Sequence, residues 1–160
     1  MKEQKLEISY LVFESSDELE AKDKELLNAA RQITKQAYAP YSKFYVGAAA
    51  LLANGEMLTG TNQENASYPV GICAERVLLS TISSLHPQTS INTMAVSYDS
   101  DVASSDHPIS PCGMCRQFLQ EFENRFGPFR IILGGMKGRV MILNSASQLL
   151  PFAFTREELS

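Results

Sequence analysis

The chain has only three cysteines in 160 residues. They cannot all pair with one another, so a disulfide-built fold is excluded and the thiols are left as free groups or metal ligands in a reducing compartment. The cytoplasm is the expected location. Excess positive charge is also missing: a net charge of −4 gives no electrostatic reason for a phosphate backbone as partner, and no nucleic acid is expected. No apolar run approaches the ~20 residues of a membrane span. The opening stretch MKEQKLEISYLVFESSDELE lacks a continuous apolar core followed by a small-residue cleavage site, so neither a membrane partner nor a secretory leader is expected. Internal repeats, low-complexity tracts and long Pro/Gly/Ser linkers are absent as well. What remains is one domain, long enough to bury a substantial core.

The hydrophobic pattern supplies the elements. KLEISYLVFE alternates Leu6, Ile8, Tyr10 and Val12 on one face and reads as a short strand. From Asp23, DKELLNAARQITKQAY carries Leu26, Leu27, Ala30, Ile33 and Ala37 at helical spacing, and Pro40 prevents continuation. In FYVGAAALLANGEMLTGTN two apolar runs flank Asn54-Gly55, the dipeptide suited to a type I′ hairpin turn. A helix starting near Cys73, a strand at INTMAVSY and a polar loop from Asp99 to Ser110 follow. CGMCRQFLQEFENRFG places Met114, Phe118, Leu119 and Phe122 on one helical face, between Pro111 and Gly127 as start and stop signals. FRIIL and RVMIL close the series as strands. The expected class is α/β, a three-layer α/β/α domain with a mixed sheet of about five strands.

Chemistry concentrates at the cysteines. Cys112 and Cys115 form a C-x-x-C pair leading into a helix, and Cys73 stands at another helix start. Both groups lie where helix dipoles favour thiolates, and C-x-x-C spacing lets two sulfurs converge on zinc. Three thiolates leave one tetrahedral position open, as in a catalytic centre, for a water made acidic by the metal. A redox dithiol would not need Cys73. A closed structural site would recruit His107 and leave Glu75 unexplained; His107 and His86 each precede a proline at a chain turn. Taken with Pro111, the sequence Cys73-Ala74-Glu75 followed by P-C-x-x-C matches the zinc-deaminase signature, in which the glutamate is not a ligand.

The resemblance extends beyond the metal. PYSKFYVGAA, TNQENASYPVGICAER, SPCGMCRQFLQEF and LLPFAF together resemble the small, homotetrameric cytidine deaminases, in family order from about Leu26 to Leu159. This implies the cytidine-deaminase fold over residues 26–160 with residues 1–25 as an extension, either an edge strand or an intersubunit contact. It also implies one Zn²⁺ per subunit, a free pyrimidine nucleoside as substrate, a homotetramer, and hydrolysis of cytidine and 2′-deoxycytidine to the uridines. By the same resemblance Cys73, Cys112 and Cys115 hold zinc and a zinc-activated water attacks C4. Glu75 shuttles protons, and Asn62 and Glu64 bind the sugar 3′-hydroxyl. Phe44 packs on the nucleoside, backbone groups of Ala66 and Ala74 reach the pyrimidine, Arg76 hydrogen-bonds the zinc thiolates, and Phe154 closes over a base in a neighbouring subunit. Thr61 stands where many members carry a cysteine.

Two of these roles have independent physical reasons. Three thiolates on a dication leave a net negative charge that lowers Lewis acidity, and Arg76 beside them offers a compensating cation. At Glu64 a carboxylate accepts a hydrogen bond from a hydroxyl but repels a 3′-phosphate, so nucleosides fit and polynucleotides do not.

Overall fold

The apolar runs that look continuous in the sequence are buried on both faces of one sheet. In a computed structural model, which describes residues 1–159, strand β2 (Phe44–Leu52) sends Ala48, Ala50 and Leu52 into one core and Ala49 into a second on the opposite face. Strand β4 (Ile91–Ser100) divides likewise, with Met94 and Val96 on one side and Ala95 on the other. In β5 (Arg130–Gly134), Ile131 and Leu133 oppose Ile132. This is period-2 alternation with both faces dry.

Helix α1 (Ala21–Ile33) covers one face through Leu26, Leu27 and Ala30. Helices α2 (Ala74–Leu85) and α3 (Gly113–Phe126) cover the other through Leu78, Leu79, Ile82, Leu119 and Phe122. With β1 (Leu11–Phe13), β3 (Met57–Thr61) and β6 (Val140–Leu143), the sheet has six strands in the order β1-β6-β5-β4-β2-β3. Among the described strands of the sheet, β4 and β5 alone pair in parallel, and α3 makes the crossover between them. The three-layer α/β/α class stands, with a sixth strand.

Close backbone approach at two glycines sets the layer spacing. A Cβ on Gly47 would overlap the Ala30 carbonyl of α1. One on Gly60 would lie 2.7 Å from the Leu78 amide nitrogen and 2.8 Å from the Ala74 carbonyl of α2. Arg130 grips the buried carboxylate of Asp23 with two hydrogen bonds of 2.9 and 2.6 Å, fastening the start of α1 to the start of β5.

Four local expectations change. The N-terminal strand shrinks to Leu11–Phe13, paired with Ile142, Met141 and Val140, while Leu6, Ile8 and Tyr10 are exposed. Its partner β6 has only four residues, which leaves the earlier alternation nothing to pair with. The hairpin turn is not type I′, because that turn needs positive φ at both central residues and only Gly55 (φ 88°) has it. Instead the Gly55 N–H donates to the Leu52 carbonyl and the Leu52 N–H to the Glu56 carbonyl, a longer loop closed by a glycine bulge. Helix α1 runs from Ala21 to Ile33 and continues as a 3₁₀ turn to Gln36. On α3, Leu119 and Phe122 are buried as expected, whereas Met114 and Phe118 face outward.

Candidate active site and metal centre

The N-termini of α2 and α3 converge on the same face of the sheet and bring the three cysteines together. Cys73 is the N-cap of α2, Cys112 the N-cap of α3, and Cys115 lies in the first turn of α3. Neither cap residue spends its side chain on a capping hydrogen bond. The three sulfurs lie within 4.8 Å of one another, with Cys73 and Cys112 Sγ 3.7 Å apart. Exposure is graded: Cys115 is buried, Cys73 half-buried and Cys112 open to solvent. Hydrogen bonding from Cys115, then from Cys112, with the charge of Arg76, draws the Cys73 thiol down to about 6 against burial and the Glu75 charge. The same bond to Cys73, reinforced by burial, pushes the Cys115 thiol up. Three convergent sulfurs with no histidine or carboxylate among them are a soft donor set that fits zinc.

Glu75, the second residue of α2, is only 4% exposed, and burial pushes its carboxyl above the usual range. It shares a cleft of about 560 Å³ with Cys73 and Cys112. The opposite wall comes from β2 and the segment after β3: Phe44, Val46, Asn62 and Glu64. Ile109 and Ser110 close a third side from the loop before α3. Of the nucleoside contacts expected from the sequence, Phe44, Asn62 and Glu64 line this cleft together with Glu75. Asn62 is held by its own amide, Oδ1 accepting from the Val46 N–H (2.7 Å) and Nδ2 donating to the Phe44 carbonyl (2.9 Å). Glu64 accepts from the backbone N–H groups of Tyr41 (2.9 Å) and Ser42 (3.3 Å). Burial opposes its charge, but the Ser42 and Tyr41 hydrogen bonds and nearby Lys43 prevail and hold the carboxyl below its ordinary range.

The remaining expected residues lie elsewhere. Ala74 is fully buried beneath the cleft, and Ala66 is exposed outside its lining. Arg76 is half-buried and, among the described residues, donates no hydrogen bond to a sulfur; its charge nonetheless acts on Cys73 and Glu75. Phe154 is 59% exposed and stands outside its own subunit's core and cleft, its carbonyl accepting from Gln117 Nε2 at 2.8 Å. His107 lies outside the sulfur cluster, with Nδ1 3.1 Å from an Asp106 carboxylate oxygen.

Sequence reasoning missed four contributors. Met114 reads as core by periodicity yet lines the cleft. Arg116 donates from Nε to the Pro111 carbonyl (2.8 Å) and from Nη1 to the Leu149 carbonyl (3.2 Å), bracing the approach to Cys112. Ile109 and Ser110 belong to a loop without a periodic signal.

The model of one family, the cytidine and deoxycytidylate deaminase zinc-binding region, matches residues 20–127, which include every cysteine and Glu75. The chain belongs to the cytidine deaminase family. Cytidine deaminase of Sporosarcina psychrophila is 39% identical over 84% of this chain and 93% of its own length. That of Halalkalibacterium halodurans is 38% identical over 84% and 96%. Among solved structures, cytidine deaminase from Burkholderia pseudomallei superposes with a TM-score of 0.69 at 36% identity, covering 81% of this chain and 97% of that one. The enzyme from Mycobacterium leprae gives 0.62 at 30%, covering 82% and 99%. The chain is thus an enzyme of the cytidine deaminase family, and zinc is the metal that its three-thiol centre suits. Among the described residues no helix is long and apolar enough to cross a membrane.

Proposed function

We propose that this cytidine deaminase hydrolyses free cytidine and 2′-deoxycytidine to the corresponding uridines, with water as co-substrate and ammonia as the second product. The observation that carries the reading is the buried Glu75 beside three convergent thiols, facing Phe44, Asn62 and Glu64 across one cleft. Cys73, Cys112 and Cys115 would hold zinc, whose Lewis acidity makes water a competent nucleophile near neutral pH. Glu75 accepts the proton of the attacking water, delivers one to ring nitrogen N3, and later helps protonate the departing ammonia. Phe44 offers its ring as a wall for the nucleoside. Arg76 offsets the excess thiolate charge through space. Purified protein is expected to convert cytidine, followed by its absorbance, and to stop when a zinc chelator is added. Chelator-resistant conversion, or none at all from zinc-loaded protein, overturns the reading.

Substrate size is read from Glu64, fixed by two backbone N–H groups on the sugar side of the cleft. Glu64→Ala is expected to lower kcat/KM for cytidine about ten- to a hundredfold, the loss of a charge-assisted hydrogen bond. It should also narrow the discrimination against 3′-phosphorylated cytidine. An unchanged kcat/KM removes Glu64 from sugar recognition.

We further propose a cytoplasmic homotetramer in which Phe154 completes a neighbour's site and residues 1–25 extend a deaminase domain over 26–160. Support comes from the exposed rings of Phe152 and Phe154, from the three free thiols, and from a family match that begins at residue 20. Refolding Glu75→Ala subunits together with Phe154→Ala subunits should yield more activity than Phe154→Ala alone. Mixed oligomers without that gain place the ring in its own chain's service.

A further inference from the structure

The longest loop beside the cleft is clamped from two sides, and one buried side chain touches both the clamp and a cleft wall. Tyr98 on β4 is 1% exposed. Its ring stacks on Phe44 with centroids 4.9 Å apart and planes 17° from parallel. Its hydroxyl donates to the Ser104 carbonyl at 3.0 Å and lies 3.3 Å from His107 Nδ1, and the His107 and Tyr98 rings meet edge-on with centroids 5.8 Å apart. From the other side, the turn between β5 and β6 presses on the same loop. The Lys137 N–H donates to the Ser105 carbonyl at 3.2 Å. A Cβ on Gly135 would overlap the Ser105 carbonyl oxygen, and one on Gly138 (φ 75°) would overlap that of Asp106. The loop then delivers Ile109 and Ser110 to the cleft.

We propose that Tyr98 is a positioning residue for nucleoside binding: its ring backs the Phe44 wall while its hydroxyl fixes the loop bearing the Ile109–Ser110 wall. Two sides of the cleft are thereby set by one side chain that does not line it. The metal centre is insulated from this clamp, because Arg116 separately holds the Pro111 carbonyl next to Cys112. Tyr98 therefore governs how well substrate is held, with little influence on the chemical step. The inference rests on the nucleoside reading of the cleft.

Tyr98→Phe keeps the stacked ring and removes the hydroxyl, and with it both ties to the loop, the donor to Ser104 and the contact with His107. KM for cytidine is expected to rise about tenfold while kcat stays within about threefold, the signature of lost uniform binding. Bound zinc should stay equal to wild type, and amide hydrogen exchange across residues 101–110 should accelerate. Gly138→Ala displaces the loop from the opposite side and should give the same split between KM and kcat; it decides the matter if Tyr98→Phe does not fold. A wild-type KM in the folded variant, or a loss confined to kcat, overturns the clamp. Wild-type protein that fails to deaminate cytidine overturns the nucleoside reading itself, and the clamp with it.

Discussion

Glu75→Gln is expected to abolish nearly all cytidine turnover, by about 10²–10⁴-fold, while leaving the fold and the bound zinc intact. Glutamine has the size of the carboxyl it replaces but cannot pass a proton between water, ring nitrogen and leaving group. Glu75 is not one of the three converging thiols, so a metal held by them has no reason to leave. Stability should hold or increase, because the site buries this side chain almost completely and an amide is less costly to bury than a charged carboxylate. Metal analysis, a melting curve and turnover on one preparation check all three parts. Activity within tenfold of wild type takes Glu75 out of the mechanism.

Gly60→Ala should impair stability and catalysis together. Replacing a strand glycine by alanine ordinarily favours the strand by roughly 0.5–1 kcal/mol. Here the opposite sign is expected. The added methyl would sit 2.7 Å from the Leu78 nitrogen and 2.8 Å from the Ala74 oxygen, both backbone atoms that cannot rotate aside. Relief requires the N-terminal half of α2 to move off β3, and that half carries Cys73 and Glu75. Overpacking of this kind costs about 1–3 kcal/mol, and displacing Cys73 relative to the α3 sulfurs should also lower zinc retention. Gly113→Ala supplies the contrast, since nothing lies within 4 Å of its added methyl; that variant should keep its zinc and melt no lower than wild type. A Gly60→Ala protein with unaltered melting temperature and full zinc contradicts the close packing of α2 on β3.

The converging sulfurs and the buried Glu75 beside them were legible in the sequence because the signals are local: a helix start, a two-residue interval, a C-x-x-C pair. The strands of the sheet were legible from their apolar runs, although assigning alternate residues to two separate cores required the helices on both faces. Met114 misled because helical periodicity marks a stripe without saying whether core or cleft lies under it. The N-terminal alternation overreached because a strand extends only as far as its partner, and β6 ends after four residues. Asn54-Gly55 announced a hairpin but not its turn type, since either turn needs glycine at a positive φ. The Tyr98 clamp had no signature at all. Its parts, Phe44, Ser104 and the glycines of the β5–β6 turn, come from three distant stretches that only the assembled sheet brings together.

Cys73 and Cys112 are 39 positions apart, each capping a different helix, and the sulfurs meet only when both helices are seated on the sheet. An ion that needs all three sulfurs therefore binds the folded chain in preference to the unfolded one, and its binding free energy is added to that of folding. At free zinc a thousandfold above the dissociation constant, the gain is about 4.1 kcal/mol, comparable to the whole margin of many small domains. Cellular zinc supply would then set the lifetime of the polypeptide as well as its turnover, and starvation for the metal would remove the enzyme through proteolysis of α2 and α3 rather than merely idle it.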